Sequence, residues 1–422
     1  MASSPSFTIH NLPYGVISIP HPDHADELQS PSECAIAYED YAIRMKSAVK
    51  TSHFKSMGDW FQENIFLAPS WNAFASLPSE VRQQFRQCLK TFVESEKTER
   101  HTDFFVKLSK VKMHLPMDSR NYSDFYCSYE HAKNCSDVFN LQISPNWYFL
   151  PQVYNGRTSS LAVSGTPITR PMGIFPAQPG APPTFQAENK LDFELEMGIW
   201  ISNGVPRGQR LDIAKAKNHV FGITLLNDWS ARSIQFAEMQ PLGPFHSKGS
   251  LTSISPWIIP IEALDEFASC PRHSEQTPKP LPHLTPSDPA KSTWNIHVQC
   301  SVIRDGKEFV FAQSNLNELH WTPLQQITHL ASAGEGLSPG DVFGTGTISS
   351  SRTNDNGEKT GLSCIWERQL PSAKLSSLPE DINETMLKDG DEVVMTAWCN
   401  GHKTGEKILW FGECRGKVLP VV

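Results

Sequence analysis

The sequence predicts a mainly β protein in two unequal parts, a smaller structural section over residues 1–117 and a larger β-rich section over residues 118–422 that carries the chemistry. Three observations lead there. Beyond residue 117 the chain is a series of short runs rich in β-branched and aromatic residues, separated by Gly, Pro and Asn turns. Helical periodicity is clear in only two places. All the residues that look chemical lie in the second part, and a chain of 422 residues is long enough for two domains with sizeable cores.

In chain order, Tyr14 to Ile19 reads as a strand. Pro78-Ser79-Glu80 opens a helix on which Val81, Phe85, Cys88, Leu89 and Phe92 recur at helical spacing and form an apolar face. In the second section, Phe221 to Leu226, Trp257 to Ile259, Trp294 to Ile303, Asp341 to Phe343 and Glu392 to Trp398 read as strands. A helix follows Thr322, with Pro323 in its first position and Leu324, Ile327 and Leu330 facing inward. Pro271 to Pro289 and Ser349 to Gly361 have the composition of surface loops.

The formal net charge of -8 gives no hint of nucleic-acid binding, and no basic cluster stands out. Nine scattered cysteines without a Cys-x-x-Cys pair fit free thiols in a reducing compartment. The Met-Ala-Ser-Ser-Pro-Ser start has no secretory signal, and no apolar run is long enough to span a bilayer. The expectation is a soluble cytoplasmic protein with a small-molecule substrate.

The chemistry gathers around four acids: Asp124 in Asn-Tyr-Ser-Asp-Phe-Tyr, Glu194 and Glu196 in Leu-Asp-Phe-Glu-Leu-Glu-Met, and Asp228 in Asn-Asp-Trp-Ser-Ala-Arg. Residues two apart on a strand share a face, so Glu194 and Glu196 project together and Phe193, Leu195 and Met197 project opposite. Two anions held that close require a cation or a proton, and a hard divalent ion with oxygen ligands meets the need. The bland alternative is a strand whose acids face water. Arg232 and Gln235 follow Asp228 by four and seven residues and share its face if a helical turn begins there. Lys248 ends a Gly/Pro loop suited to presenting an ammonium group, although a solvated lysine and a structural arginine are the plainer readings. His131, seven residues after Asp124, is a candidate general base because its ordinary pKa suits proton transfer near neutrality. His219, His246 and His329 lack such company and read as structural.

These phrases, together with Gly15-Val16, Tyr154 before Gly156-Arg157, Pro241-Leu242-Gly243-Pro244-Phe245, Gly346-Thr347-Ile348-Ser349 and Gly416-Lys417-Val418-Leu419-Pro420, resemble the fumarylacetoacetase family in order from about residue 7 to the end. The resemblance implies an N-terminal SH3-like barrel, a C-terminal β-roll of the fumarylacetoacetate hydrolase type, and a homodimer. It makes Asp124, Glu194, Glu196 and Asp228 ligands of one calcium or magnesium ion, and places a second magnesium site near Lys248 and Thr252. By the same likeness His131 is the base that activates water. Arg232, Gln235 and Lys248 hold the oxyanion and the departing carbanion, and Tyr126, Tyr154 and Thr347 touch substrate.

The chain departs from the family pattern at four places. Asn140 stands where an arginine is expected to clamp a substrate carboxylate, Asn155 replaces a histidine, and Met239 replaces a tyrosine. Ser363 occupies the position of the glutamate that orients the histidine, with Glu358 and Glu367 as acids able to substitute if the register shifts. Three functions follow as expectations. The first is metal-dependent hydrolysis of a C–C bond in a β-diketone acid. The second is metal-enolate chemistry turned to C–C bond formation, decarboxylation or isomerisation in specialised metabolism. The third is a catalytically silent binding protein. With Asn140 unable to clamp a carboxylate, Met239 removing a phenol hydroxyl and Ser363 leaving His131 unsupported, fumarylacetoacetate itself is expected to be a poor substrate.

Overall fold

The computed structural model describes residues 7–21, 30–55, 57, 61–96, 104–138, 140–177, 180–273, 275–401 and 404–422. The first six residues, on which the reading of the N-terminus rested, and residue 274 of the Pro271–Pro289 loop lie outside these ranges.

The N-terminal section is an antiparallel sheet in the order Phe105–Lys107, Tyr41–Arg44, Glu33–Tyr38, Tyr14–Ser18 and Lys112–His114. Tyr14, Val16, Cys34 and Ile36 point from it into a core closed by the helix Ser79–Ser95, whose Phe85, Leu89 and Phe92 are buried as the periodicity predicts. Aromatic rings dominate that core: Tyr14 stacks on Trp71 at 4.6 Å, and Phe74 meets Phe85 edge-on at 4.7 Å. The same helix buries Arg82 and Arg86. Each guanidinium is satisfied, Arg82 by Glu262 at 3.1 Å and the Leu77 carbonyl, and Arg86 by the carbonyls of His10 and Asn11. Trp200, Phe221 and Ile254 of the second section belong to this same core, so the apolar interior continues from one section into the other.

The second section has two larger sheets. One runs in the order Val153–Asn155, Tyr122–Phe125, Val342–Gly344, Leu195–Ile201, Val220–Asp228, Thr252–Ile254 and Leu161–Val163, with Ile259–Pro260 also pairing to Val220–Asp228. Its two central strands are buried along their whole length, because both sheet faces are covered. The other runs Lys307–Asn315, His297–Arg304, Glu392–Asn400, Lys407–Leu419 and Ile168–Thr169. The helix Pro323–Leu330 begins at Thr322 with a full capping box closed by Gln325.

Several expected elements differ in detail. Trp257 to Ile259 contributes only the short strand Ile259–Pro260, because Ile258 exchanges both backbone hydrogen bonds with Tyr14 of the first section. Trp294 to Ile303 is broken into Thr293–Trp294 and His297–Arg304, since Asn295 donates its N–H to Phe267 instead of continuing the ladder. Ser349 to Gly361 is a surface loop only in its middle. Ser349, Ser350 and Gly361 are buried at its ends, and Ser349 serves the site.

Candidate active site

Strand register builds the centre of the site. Gly344 lies opposite Asp124 on one side and Gly198 on the other, and Glu196 lies two residues before Gly198 on the same strand. Asp228 closes the neighbouring strand, opposite Thr252. Asp124, Glu196 and Asp228 therefore converge at one end of the sheet, each essentially inaccessible to solvent, with carboxylate oxygens within 4.8 Å of one another. A glycine is required between them: a Cβ on Gly344 would stand 2.6 Å from a Glu196 oxygen and 2.7 Å from an Asp124 oxygen. Gly346, at φ 79°, turns its N–H onto Glu196 at 2.9 Å.

This trio is short of donors. The Tyr154 hydroxyl lies 2.9 Å from Oδ2 of both Asp124 and Asp228, with one proton to donate between them, and Tyr122 donates to Asp124 at 3.2 Å. Among the described residues, Oδ1 of Asp124 and Oδ1 of Asp228 have no hydrogen-bond partner although both are buried. Burial, then the charges of Asp124 and Asp228, push the Glu196 carboxyl well above its usual range. Burial also raises Asp228, with Lys248 pulling in the other direction. Orphaned, hard oxygen donors in a space that rejects uncompensated charge fit a divalent cation, and the sequence-expected metal ligands Asp124, Glu196 and Asp228 are placed to hold it.

Glu194 is not part of that trio. It sits just ahead of the strand Leu195–Ile201, and its two oxygens are taken by Arg232 at 2.8 Å and by the Lys248 ammonium. Burial alone would raise its pKa, but Lys248, Arg232 and His131 together hold it below the usual carboxylate range. Lys248 also reaches Asp228, and the ammonium is held charged by Asp228 and Glu194 against the effect of its burial. Arg232 spends Nε and Nη2 on Asp192 at 3.0 and 2.8 Å, and Nη1 on Gln235 Oε1 at 3.2 Å. The expectation of a helical turn beginning at Asp228 is corrected: Asp228 ends a strand and the helix starts at Arg232. Convergence comes from the strand-to-helix corner rather than from helical periodicity.

Next to this pair stands His131, 3 % exposed, on the helix Tyr129–Val138. Its Nε2 is 3.7 Å from Glu194, and its Nδ1 is 3.1 Å from Glu367. Burial would lower the imidazole, but Glu367 and Cys364 outweigh it and hold the pKa up at about 10. Glu367 is itself held low by His131 against its own burial, and is further fixed by Ser349 at 2.6 Å and Asn134 at 3.0 Å. The expectation that Ser363 leaves His131 without a carboxylate is thereby overturned. Ser363 turns its hydroxyl onto the Ile348 carbonyl at 2.7 Å, and the acid arrives from Glu367. The short helical turn Trp366–Gln369 makes this possible, because it swings position 367 back under the histidine.

The remaining expected contacts fall into two groups. Tyr126 packs edge-on against His131 at 5.2 Å, Tyr154 bridges the carboxylates, and Thr347 is buried in the 345–350 segment beside them. Thr252 faces Asp228 across the sheet and hydrogen-bonds Ser160. Asn140 is exposed on the turn after the histidine helix, and Met239 is 46 % exposed, so neither lies in the buried cluster. Two residues escaped sequence reasoning. Asp192 continues the alternation of Glu194 and Glu196 backwards by two residues and anchors Arg232 together with the N–H groups of Ile365 and Trp366. Glu238 receives three backbone N–H groups from Phe245, His246 and Ser247, holding the loop that presents Lys248.

A buried carboxylate trio fit for a hard cation, flanked by a histidine–carboxylate pair and two paired cations on a β-rich scaffold, defines the class of metal-assisted acid–base enzymes. Residues 120–419 match the family model described as fumarylacetoacetate hydrolase C-terminal, and residues 10–116 match the model described as fumarylacetoacetase N-terminal. The chain belongs to the fumarylacetoacetase family. It is 36 % identical to the fumarylacetoacetase of Bos taurus over 436 residues, covering 100 % of this chain and 98 % of that protein. It is also 36 % identical to that of Arabidopsis thaliana over 429 residues, covering 100 % and 97 %. A fumarylacetoacetate hydrolase structure from Exiguobacterium antarcticum shares the fold, with a TM-score of 0.52 at 14 % identity over 96 % of this chain and 99 % of that one. No helix among the described residues is long and apolar enough to cross a membrane.

Proposed function

We infer that this chain is a divalent-metal-dependent hydrolase that cleaves a C–C bond in a β-diketone acid of the fumarylacetoacetate type. The observation that carries the reading is the Glu367–His131 pair standing beside the Asp124, Glu196 and Asp228 trio. Asp124, Glu196 and Asp228 would hold the metal, calcium or magnesium, which would supply Lewis-acid polarisation of a substrate carbonyl. Glu367 holds Nδ1–H of His131 and keeps the ring pKa high, so the base form, with Nε2 free to take the proton from an attacking water, grows as pH rises toward about 10, and the Glu367 charge supports the imidazolium that results. Lys248 and Arg232 keep Glu194 ionised and place positive charge at the wall where the enolate departs. Gln235 accepts from Arg232 with its oxygen, so its amide nitrogen is the end that serves a substrate oxygen.

The hydrolytic reading is favoured over C–C bond formation or isomerisation because the water-activating pair is complete. A silent binding protein has no use for such a pair. The resident assembly is a cytoplasmic homodimer divided near residue 117, as in the family resemblance. By the family resemblance the substrate carboxylate grip is the altered part: Asn140, exposed on the turn after the histidine helix, lacks the bidentate charge of arginine. Turnover of fumarylacetoacetate should therefore depend on added calcium or magnesium, with kcat close to that of the bovine relative and KM raised about tenfold or more. Turnover unaffected by chelator would overturn the metal assignment, and an equal loss in kcat would overturn the intact relay.

A further inference from the structure

Two thiols crowd the same histidine. Cys135 lies one turn beyond His131 on the helix Tyr129–Val138, with Sγ 3.7 Å from both ring nitrogens. Cys364 is fully buried, with Sγ 3.9 Å from His131 Nδ1 and 3.4 Å from Glu367 Oε2. Glu367 Oε2 is in turn 3.1 Å from Nδ1. The hydrolytic reading uses neither cysteine, and a thiol is a poor neighbour for a general base unless it has a role of its own.

The donor set is specific. An imidazole and a thiol four residues apart on one helix face meet a thiol and a carboxylate three residues apart on a tight turn, and three of the four, His131, Cys364 and Glu367, are buried. Zinc bonds of about 2.0–2.3 Å place adjacent donors of a tetrahedral site roughly 3.3–3.8 Å apart. The separations of 3.1, 3.4 and 3.9 Å among His131 Nδ1, Glu367 and Cys364 bracket that edge length, whereas Cys135, level with both ring nitrogens and outside this mutually close trio, reaches an ion on Nδ1 only by turning its side chain. Sulfur, imidazole and carboxylate together select a borderline-soft transition metal over calcium or magnesium, which the all-oxygen trio prefers.

The geometry points to a second, inhibitory metal site formed by His131, Cys364 and Glu367, completed by a turn of the Cys135 side chain, and selective for zinc-like ions. Its consequence for activity rests on the hydrolytic reading, but its existence does not. Each ligating thiol, and the Nδ1–H of the imidazolium, loses its proton to solvent on binding. With the ion on Nδ1, the ring's one remaining proton sits on Nε2, so the histidine no longer accepts a proton from water. The same ion takes Glu367 out of its orienting bond. Binding at this site therefore switches off the base without displacing the hard cation.

Cobalt(II) and zinc added to the calcium- or magnesium-loaded enzyme, kept reduced, test this. Cobalt should bind with one equivalent showing a thiolate-to-metal charge-transfer band and tetrahedral d–d bands. The band should disappear in Cys135→Val and in Cys364→Ala. Zinc should inhibit turnover, and Cys135→Val, which keeps basal activity, should need at least about tenfold more zinc for the same inhibition. Absence of a thiolate–cobalt band in the folded wild-type enzyme, or its survival in both variants, overturns the site. A band lost in the variants alongside no hydrolysis of any β-diketone acid would instead keep the site and reject the hydrolytic reading.

Discussion

Two halves of one buried cluster handle the same chemical problem in opposite ways. Asp192 and Glu194 are matched by Arg232 and Lys248, and every short contact between them joins unlike charges. Asp124, Glu196 and Asp228 have tyrosine and backbone donors, one shared lysine, and two orphaned oxygens. Burial penalises carboxylates equally in both places, so the difference lies in what each half awaits. The matched half is complete as the chain folds and sets positions. The unmatched half is complete only with a cation, so sequence and fold together leave a charge deficit where the chemistry needs a metal.

The strongest way to break this comparison is to strip the matched half of its cation. Arg232→Met should destabilise the protein by about 3–5 kcal/mol, because it leaves Asp192 and Glu194 buried with one cation between them. Denaturant unfolding measures this, and a loss below about 1 kcal/mol would show that the two halves are not electrostatically distinct. The unmatched half should respond to metal instead. In wild-type protein, saturating calcium or magnesium at a hundred times Kd should add about 2.7 kcal/mol to stability. Glu196→Ala should remove that increment with little change in the metal-free protein, as read by thermal unfolding with and without metal.

A smaller, pH-dependent effect separates the cluster from the rest of the molecule. His320 lies between Trp147 and Trp321, and burial holds its pKa down to about 4. Its folded-state pKa is below the unfolded value of about 6.5, so the unfolded chain binds more protons between those limits. Stability falls as pH drops from about 6.5 to 4, by at most about 3 kcal/mol. His320→Gln should flatten this slope without altering metal binding. A slope unchanged in the variant would move the acid sensitivity to the carboxylate–cation pairs.

How much of this was legible in the sequence depends on how local the cause is. The helix after Thr322 was readable because its cap and its proline are adjacent in sequence. The alternation of Phe193, Leu195 and Met197 into the core was readable from strand period alone. The partition of Glu194 from Glu196 was not, since it depends on Lys248 and Arg232 arriving from a corner and a loop far along the chain. Asp192 was hidden by the assumption that two acids, rather than three, shared the alternation. Most instructive is Glu367. Position-by-position likeness put Ser363 at the orienting position and left Glu358 and Glu367 as alternatives, and only the short helical turn, which carries Glu367 under the histidine, decides between them.

The central claim is that His131 is a general base held by Glu367, and one comparison of variants tests it most directly. Steady-state turnover of fumarylacetoacetate by metal-loaded Glu367→Gln, Ser363→Ala and His131→Ala enzymes should give a clear order. His131→Ala should lose about 10²-fold or more in kcat, Glu367→Gln a loss of similar size because the tautomer is no longer fixed, and Ser363→Ala less than about threefold, on the order of 0.6 kcal/mol. Metal content should be equal in all three. A normal rate for Glu367→Gln, or a collapse in Ser363→Ala, would contradict the account.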